Sequence, residues 1–377
     1  MRTVLLFITL FFLQVYGTIY ANPNIWRVEK INLLKLDENI QLRLQILRVA
    51  DSILQTSPII ITDKELSFAS DKHFYCSIAP YWWPNPSDPM GPYIWKDGSF
   101  NPDRNNYDYS KLERLAYNLQ YLSVSYYITK KRKYLDYYIS QLNDWFVNEE
   151  TMMYPNLDYA QVIRGHNENK GRSTGIVETE KFIPIVESML LVQKASYCNR
   201  LRLHSSKKWF KSFVFWLICS DFGKKINEEN NNIALLYDIA IVEFASLNKD
   251  KTIIKQISQS FAEKRIYKQI QEDGKQPEEL SRANPFTYSV RNLKQIVDFC
   301  VIMENNGNHF YQKHRKRIDA AFHFLFTYVE KSNDVPYMQK DSWNQNASIL
   351  KEQMVRLQML DSSNGNIKIN SISEIFN

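Results

Sequence analysis

Between Leu112 and Val329 the apolar residues of this chain keep falling three or four positions apart, and that spacing restricts the fold more than any other feature of the sequence. Leu112, Leu115, Leu119 and Leu122 make one stripe, and Ile183, Val186, Leu190 and Leu191 a second. Ile253, Ile257 and Phe261 make a third, Val290, Leu293, Val297 and Val301 a fourth, and Ile318, Phe322, Leu325 and Val329 a fifth. A helical period puts each set on one side of a helix, whereas a strand would need strict alternation. Short polar breaks separate the stripes, and 10 glycines in 377 residues are few for an all-β chain of this length. Successive amphipathic helices bury their stripes against one another as antiparallel hairpins. The sequence therefore predicts an all-α architecture of hairpins arranged in a ring, an incomplete α/α toroid.

The rest of the chain reads differently. Met1-Arg2-Thr3, an apolar run over 4–15 and small or polar residues up to Ala21 have the form of a secretory signal peptide cut after Ala21. The run is short for a membrane span, no later segment repeats it, and no cysteine ends it, so the mature chain is expected to be soluble, without a lipid anchor, and periplasmic or secreted. Further amphipathic helix is expected over 24–62 through Ile31, Leu34, Leu42, Leu44, Ile46 and Leu47. Residues 76–106 are rich in proline and aromatic residues, with Trp82, Trp83, Trp95 and the turn Lys96-Asp97-Gly98. That punctuation precludes a long helix, and the segment is too apolar for a linker, so it is expected to pack across the mouth of the ring. The helical domain spans 22–340 with no interdomain linker. After Lys340 the periodicity fades among Asn, Ser and Gln, so 341–377 reads as a loosely attached tail containing the formal glycosylation triplet Asn346-Ala347-Ser348.

Composition narrows the function. Charged residues are 23% of the chain and hydrophobic ones 44%, ordinary globular values, while the aromatic share of 14% is high. Most of those rings fill the core, but carbohydrate sites also use them, because sugar C–H faces pack on aromatic faces. Loss of Arg2 with the leader lowers the net charge from +6 to +5, which suits an acidic polymer without demanding one. The runs Lys130-Lys131-Arg132-Lys133 and Lys313-His314-Arg315-Lys316-Arg317 read as solvated faces, and no nucleic-acid-binding motif is present. Cys76, Cys198, Cys219 and Cys300 lack a metal-binding spacing and read as buried free thiols. No HExxH, calcium loop, Cys/His cluster or glycine-rich phosphate loop occurs, so neither a metal nor another cofactor is expected.

Four separated segments carry the chemistry: Ala79-Pro80-Tyr81-Trp82-Trp83-Pro84-Asn85-Pro86, Asn156-Leu157-Asp158-Tyr159-Ala160-Gln161, Arg172-Ser173-Thr174-Gly175-Ile176 and Arg282-Ala283-Asn284-Pro285-Phe286-Thr287-Tyr288-Ser289. The last follows a turn-rich stretch, 271–277, and offers a guanidinium and a phenol within about two helical turns of each other. Such a pair can bind a carboxylate and move a proton. In this order the segments resemble the alginate lyase domain family of polysaccharide lyases, over roughly residues 79–328, and the family's α/α toroid agrees with the periodicity.

The resemblance implies β-elimination on a uronic-acid polymer. A base removes the proton at C5, an acid protonates the oxygen leaving C4, and the neighbouring carboxylate must be neutralised for the C5 proton to leave. It places Tyr288 as acid, or acid and base, with Arg282 orienting it. The family's Asn-Asn-His element corresponds to Asn230-Asn231-Asn232-Ile233, followed by Tyr237-Asp238. Either Asn231 and Asn232 take the asparagine positions and Ile233 the histidine, or the asparagines slide by one and Asn232 takes it. The imidazole is absent in both registers, leaving an amide that hydrogen-bonds a carboxylate but does not titrate. His166 is the candidate to approach from another loop, with a loop-stabilising role as its alternative. His73, His204, His309, His314 and His323 sit in less informative surroundings.

Asn156, Tyr159, Gln161 and Arg172 match cleft positions of the family, although turn and capping roles also explain Asn156 and Arg172. Trp82 and Trp83 are stacking candidates, with core packing the competing role. The leading reading is a polysaccharide lyase whose partner is an acidic polysaccharide. The alternatives are a polyuronate-binding protein on the same fold that has lost its chemistry, and a toroid glycoside hydrolase using two carboxylates among Glu178, Glu278 and Glu279.

Overall fold

The computed structural model describes residues 40–96, 99–196, 199–282, 284–330 and 343–361. The proposed signal peptide, the first part of the 24–62 expectation, Asp97-Gly98 of the expected turn, and Cys198 lie outside them. The described residues are mostly helical and divide into two compact units. One holds 27–227 and 243–250, the other 228–242 and 251–377, so the helix Asn232–Asn248 contributes to both.

In the first unit, Asp108–Thr129 and Arg132–Phe146 form an antiparallel hairpin, and Ile183–Ala195 and Ile40–Ile53 pack on Asp108–Thr129. The hairpin turns at Lys130, which adopts φ 58° and gives its N–H to the Tyr126 carbonyl at 2.8 Å. This left-handed cap satisfies an end carbonyl that would otherwise lack a donor. Leu112, Leu115, Leu119 and Leu122 are all fully buried, so the first stripe faces the core. Phe146, Phe182, Trp209, Phe210, Phe213 and Phe244 interlock beside it at centroid separations of 4.7–5.8 Å. The helix expected over 24–62 ends at Ile53, with Pro58 a few residues on biasing its predecessor away from helix.

Of the four short strands among the described residues, three lie within 76–106, where a long helix was excluded, and the fourth lies at Tyr159–Val162. β1 (Cys76–Ile78) pairs in parallel with β4 (Tyr159–Val162), and β2 (Trp82–Trp83) pairs antiparallel with β3 (Ile94–Trp95). Strands of two to four residues carry too little alternation to be read from sequence.

In the second unit Pro285–Asn305 packs against Phe310–Glu330 and against a further helix, Trp343–Asp361. The last of these corrects the expectation of a loose tail over 343–361. Its inward face mixes Leu350, Val355 and Leu357 with buried Asn346, Gln353 and Arg356, which conceals the apolar stripe. Arg356 reaches Asp298 at 2.7 Å, Trp343 stacks on Phe286 at 4.2 Å, and Asn346 Nδ2 donates to Thr287 Oγ1 at 2.8 Å. The formal glycosylation triplet thus has its asparagine buried and engaged. Cys76 and Cys300 are buried as expected, and burial pushes the Cys76 thiol up to about 11, whereas Cys219 is exposed. It sits at the end of His204–Cys219, outside that helix's inward stripe of Trp209, Phe210, Phe213, Val214 and Leu217.

Candidate active site

The candidate residues form two groups, one in each unit. The Tyr288 group is built on the start of Pro285–Asn305. Pro285 occupies the first helical turn, where its missing N–H is harmless, and the Tyr288 N–H bonds the Asn284 carbonyl at 3.1 Å. The preceding helical turn Pro277–Leu280 hands the chain to Arg282, whose N–H bonds the Glu279 carbonyl at 3.3 Å. The Arg282 guanidinium comes to lie over the Tyr288 ring, 4.1 Å from its centroid. The sequence brought these two residues near each other. The structure adds that the cation sits on the ring face, where it stacks on the phenol.

The two asparagines are not equivalent. Asn231 Oδ1 accepts the N–H groups of Ile233 at 3.0 Å and Ala234 at 3.2 Å, so Asn231 caps the helix Asn232–Asn248. Asn232 is half-buried, and its side-chain amide has no hydrogen-bond partner among the described residues. Ile233 is half-buried beside them.

A chain of buried amides, missed at the sequence level, links the two segments. Gln269 Nε2 donates to the Asn231 carbonyl at 3.5 Å. Asn292 Nδ2 donates to Gln269 Oε1 at 3.1 Å and to Gln276 Oε1 at 2.9 Å, and Gln276 Nε2 donates to the Ser289 carbonyl at 3.2 Å. The one available signal is Asn292 itself, a polar residue four positions after Tyr288 inside the stripe of Val290, Leu293 and Val297. The helix Asn232–Asn248 is anchored by the buried pair Asp238–Arg265 at 2.7 Å, and Arg265 Nη1 also donates to the Glu229 carbonyl just before that helix at 2.9 Å.

Glu279, 3% exposed, is also part of this group. Its Oε2 is buried without a hydrogen-bond partner among the described residues, and burial pushes its carboxyl up to about 7 against the pull of the Arg282 and Arg291 guanidinium groups and the backbone amide of Asn232.

The other group is built on β4. Gln161 is buried with φ 53°, an unusual conformation for a residue other than Gly, Asn or Asp, at the irregularity in the β1–β4 register. Its N–H donates to Ser77 Oγ at 2.8 Å and its Oε1 accepts from Arg172 Nη2 at 2.9 Å. Ser77 and Tyr75 both donate to Glu178 Oε2 at 2.7 Å, and burial raises the Glu178 pKa. Glycine at 171 and 175 lets the Arg172 loop lie against this strand, since a Cβ at either would stand 2.7 Å from Ala160 backbone atoms. Glu178 Oε2 thus accepts two buried hydroxyl hydrogen bonds beneath this strand.

Around this core the remaining residues have separate surroundings. Asn156 Oδ1 accepts the Asp158 N–H at 3.2 Å, a turn role, and Tyr159 packs edge-on to Phe74 at 5.2 Å. Trp82 lies 5.8 Å from exposed Trp95 and 5.0 Å from the His166 ring. Trp83 Nε1 donates to the Ser99 carbonyl at 2.9 Å, with the Lys96 ammonium 4.8 Å from its ring. His166 Nε2 meets the Tyr93 carbonyl at 3.0 Å. A carbonyl only accepts, so Nε2 carries the proton and Nδ1 is left as the basic nitrogen. No group of three or more His, Cys, Asp or Glu suited to a metal occurs among the described residues, and none of their helices is long and apolar enough to cross a membrane.

The sequence matches the family model for alginate lyase over residues 61–335. Among solved structures, an alginate lyase from Bacteroides ovatus is similar at 30% identity and a TM-score of 0.82, with 94% of each chain covered. Alginate lyase A1-III from Sphingomonas species A1 is similar at 14% identity and a TM-score of 0.50, covering 82% of this chain and 86% of that one, a likeness of fold. No curated protein sequence matches the chain. The expected all-α fold of the toroid class stands with these matches.

Proposed function

The chain belongs to the alginate lyase family, and on that premise we propose that it cleaves alginate or a related polyuronate by β-elimination, with Tyr288 as the proton-transferring group. The observation that carries the reading is the Arg282–Tyr288 stack, which fixes a phenol beside a cation at a helix start. In this scheme the Asn232 amide hydrogen-bonds the uronate carboxylate and withdraws charge from it. The C5 proton leaves to the base, the C4–O bond breaks, and the leaving oxygen takes a proton from the acid. One polymer yields a new reducing end and a 4,5-unsaturated uronate, and no water is consumed. Tyr288 serves as acid, or as acid and base in turn.

Gln161, Arg172, Tyr159, Trp82 and Trp83 are the proposed sugar contacts, with Asn156 shaping the turn between them. The support for Gln161 is its left-handed backbone, a conformation that costs free energy and is retained where surroundings enforce it. His166, with Nδ1 as its basic nitrogen, is the alternative base. The N-terminal sequence supports export, placing the reaction in the periplasm or outside the cell.

A second reading draws on the absence of an imidazole at Asn232-Ile233: a polyuronate-binding protein without turnover. Incubating the purified chain with a panel of polyuronates, while following the ultraviolet absorbance of the unsaturated product, separates the two. Absorbance supports elimination, binding without absorbance supports the binder, and saturated ends would mean hydrolysis.

A further inference from the structure

The hairpin of β2 and β3 carries more aromatic surface than the sugar contacts named so far account for. Trp95 on β3 is 50% exposed, and Phe100, just beyond it, 57%. Both rings pack on Tyr81, Trp95 edge-on at 5.4 Å and Phe100 tilted at 5.0 Å between centroids. Trp95 also meets Trp82 at 5.8 Å, so the exposed rings continue directly from a proposed sugar contact. Leaving two large rings half in water forgoes burial that would stabilise the fold, and a contiguous exposed apolar patch marks a binding surface.

The cation at the end of this patch indicates what binds there. Arg104 sits in the turn Pro102–Asn106, with its guanidinium carbon 3.8 Å from the Tyr109 ring centroid and 5.7 Å from that of Phe100. Asn101 fastens that turn to the hairpin. Its N–H bonds the Pro80 carbonyl at 2.7 Å, its Nδ2 donates to the Trp82 carbonyl at 2.8 Å, and its Oδ1 accepts the Asp103 N–H at 2.9 Å. The guanidinium is therefore held in place before any ligand arrives. Among the described residues no carboxylate forms an ion pair with it, and its Nε is buried without a hydrogen-bond partner. Lys181, whose ammonium lies 5.4 Å from the same Tyr109 ring, differs in being matched already by Glu113 at 2.7 Å. A half-buried guanidinium between rings has lost part of its hydration, and its planar fork suits a carboxylate.

Resting on the polyuronate reading, we propose that Trp95, Phe100 and Arg104 form a further subsite, in which one uronate residue lays its C–H face on the exposed rings while its carboxylate pairs with the Arg104 guanidinium. A neutral sugar can use the rings but leaves the cation unmatched, so the subsite selects a charged residue. The rings supply contact common to all sugars, and Arg104 supplies the discrimination.

The test is titration of an alginate oligosaccharide into the full chain carrying Tyr288→Phe, which stops turnover, with Arg104→Gln, Arg104→Lys, Trp95→Ala or Phe100→Ala added. Arg104→Gln should weaken binding roughly 10- to 100-fold, the range for a lost charged hydrogen bond, and make the remaining binding less sensitive to salt. Arg104→Lys should restore the salt sensitivity and part of the affinity, because the charge returns without the fork. Each ring variant should cost roughly 2- to 10-fold and leave the salt dependence in place. With Tyr288 intact, the same changes should appear in KM rather than in kcat. A merely structural role for Arg104 would lower the melting temperature and leave the salt dependence of binding as in the parent. Native-like binding by Arg104→Gln, Trp95→Ala and Phe100→Ala, with unsaturated product still formed by the native chain, overturns the inference and leaves the lyase reading intact. Absence of both binding and product with the native chain sinks the lyase reading and this inference with it. Should Arg104→Gln not fold, the variants at the two half-exposed rings still decide the question.

Discussion

Asn292→Leu tests whether the buried amides hold the Tyr288 segment in place. Asn292 is fully buried, and its Nδ2 supplies the donor for both Gln269 Oε1 and Gln276 Oε1. Leucine has a similar volume, so little cavity is created, but two buried acceptors lose their partner at about 1–3 kcal/mol each. Against this, Asn292 Oδ1 is itself buried without a partner, and its removal returns about 1–3 kcal/mol. The net expectation is a destabilisation of about 2 kcal/mol, read as a lower urea midpoint by circular dichroism. Gln276 also donates to the Ser289 carbonyl, so its loosening should reach Tyr288 and lower kcat more than it raises KM. A midpoint within about 0.5 kcal/mol of the native one, with kcat unchanged, would refute the idea that these amides brace the site.

Three further outcomes are expected. Tyr288→Phe should abolish the absorbance of unsaturated product while preserving polymer binding in a pull-down or calorimetric assay, because the ring and its stack with Arg282 remain; near-native turnover would make Tyr288 structural. His166→Ala should leave kcat within a few fold if the phenol works alone, whereas a large loss together with disappearance of the acidic limb of the rate profile would identify Nδ1 as the base. Because the Glu279 carboxyl is raised in the folded state, the folded chain holds a proton that the unfolded chain releases between about 4.5 and about 7, so stability falls as pH rises through that window. Glu279→Gln removes this liability and should raise the melting temperature relative to the native chain more at pH 8 than at pH 5, by at most about 3 kcal/mol of stability. An equal difference at both pH values would show that Glu279 is not the titrating group.

What was legible in the sequence followed from how locally each feature is encoded. The Leu112 stripe lies on a single helix, so its period survives in the sequence and its residues are buried as expected. Arg282 and Tyr288 are six positions apart across one helix start, close enough for their proximity to be inferred. The C-terminal helix was missed because its inward face uses Asn346, Gln353 and Arg356, whose burial depends on partners such as Thr287 and Asp298 far away in the chain. Gln269, Gln276 and Asn292 escaped for the same reason: each is an ordinary polar residue until the fold brings the three amides together. Glu279 was noticed only as one carboxylate among several, since its titration is set by burial and by distant Arg291 and Asn232.

The sequence also left open which asparagine meets the substrate, and the structure turns that ambiguity into a separable pair of effects. Asn231 spends its side-chain oxygen on the N–H groups of Ile233 and Ala234, so Asn231→Ala should act chiefly on stability, by about 0.5–2 kcal/mol, as loss of a helix cap does. Asn231→Asp should recover most of that loss, because a carboxylate caps equally well and suits the positive end of the helix, although it faces Glu229 at the position where the amide now donates. Asn232 has an amide that no described residue engages, so Asn232→Ala should barely move the melting temperature. Its removal should instead cost about 2–4 kcal/mol of transition-state stabilisation, a fall in kcat/KM of roughly 30- to 1000-fold, if it neutralises the uronate carboxylate. Measured side by side, the two alanine variants should therefore split, one in thermal denaturation and the other in the rate of unsaturated product. A reversed pattern, with Asn231→Ala inactive but stable and Asn232→Ala active, would move the carboxylate contact from Asn232 to Asn231.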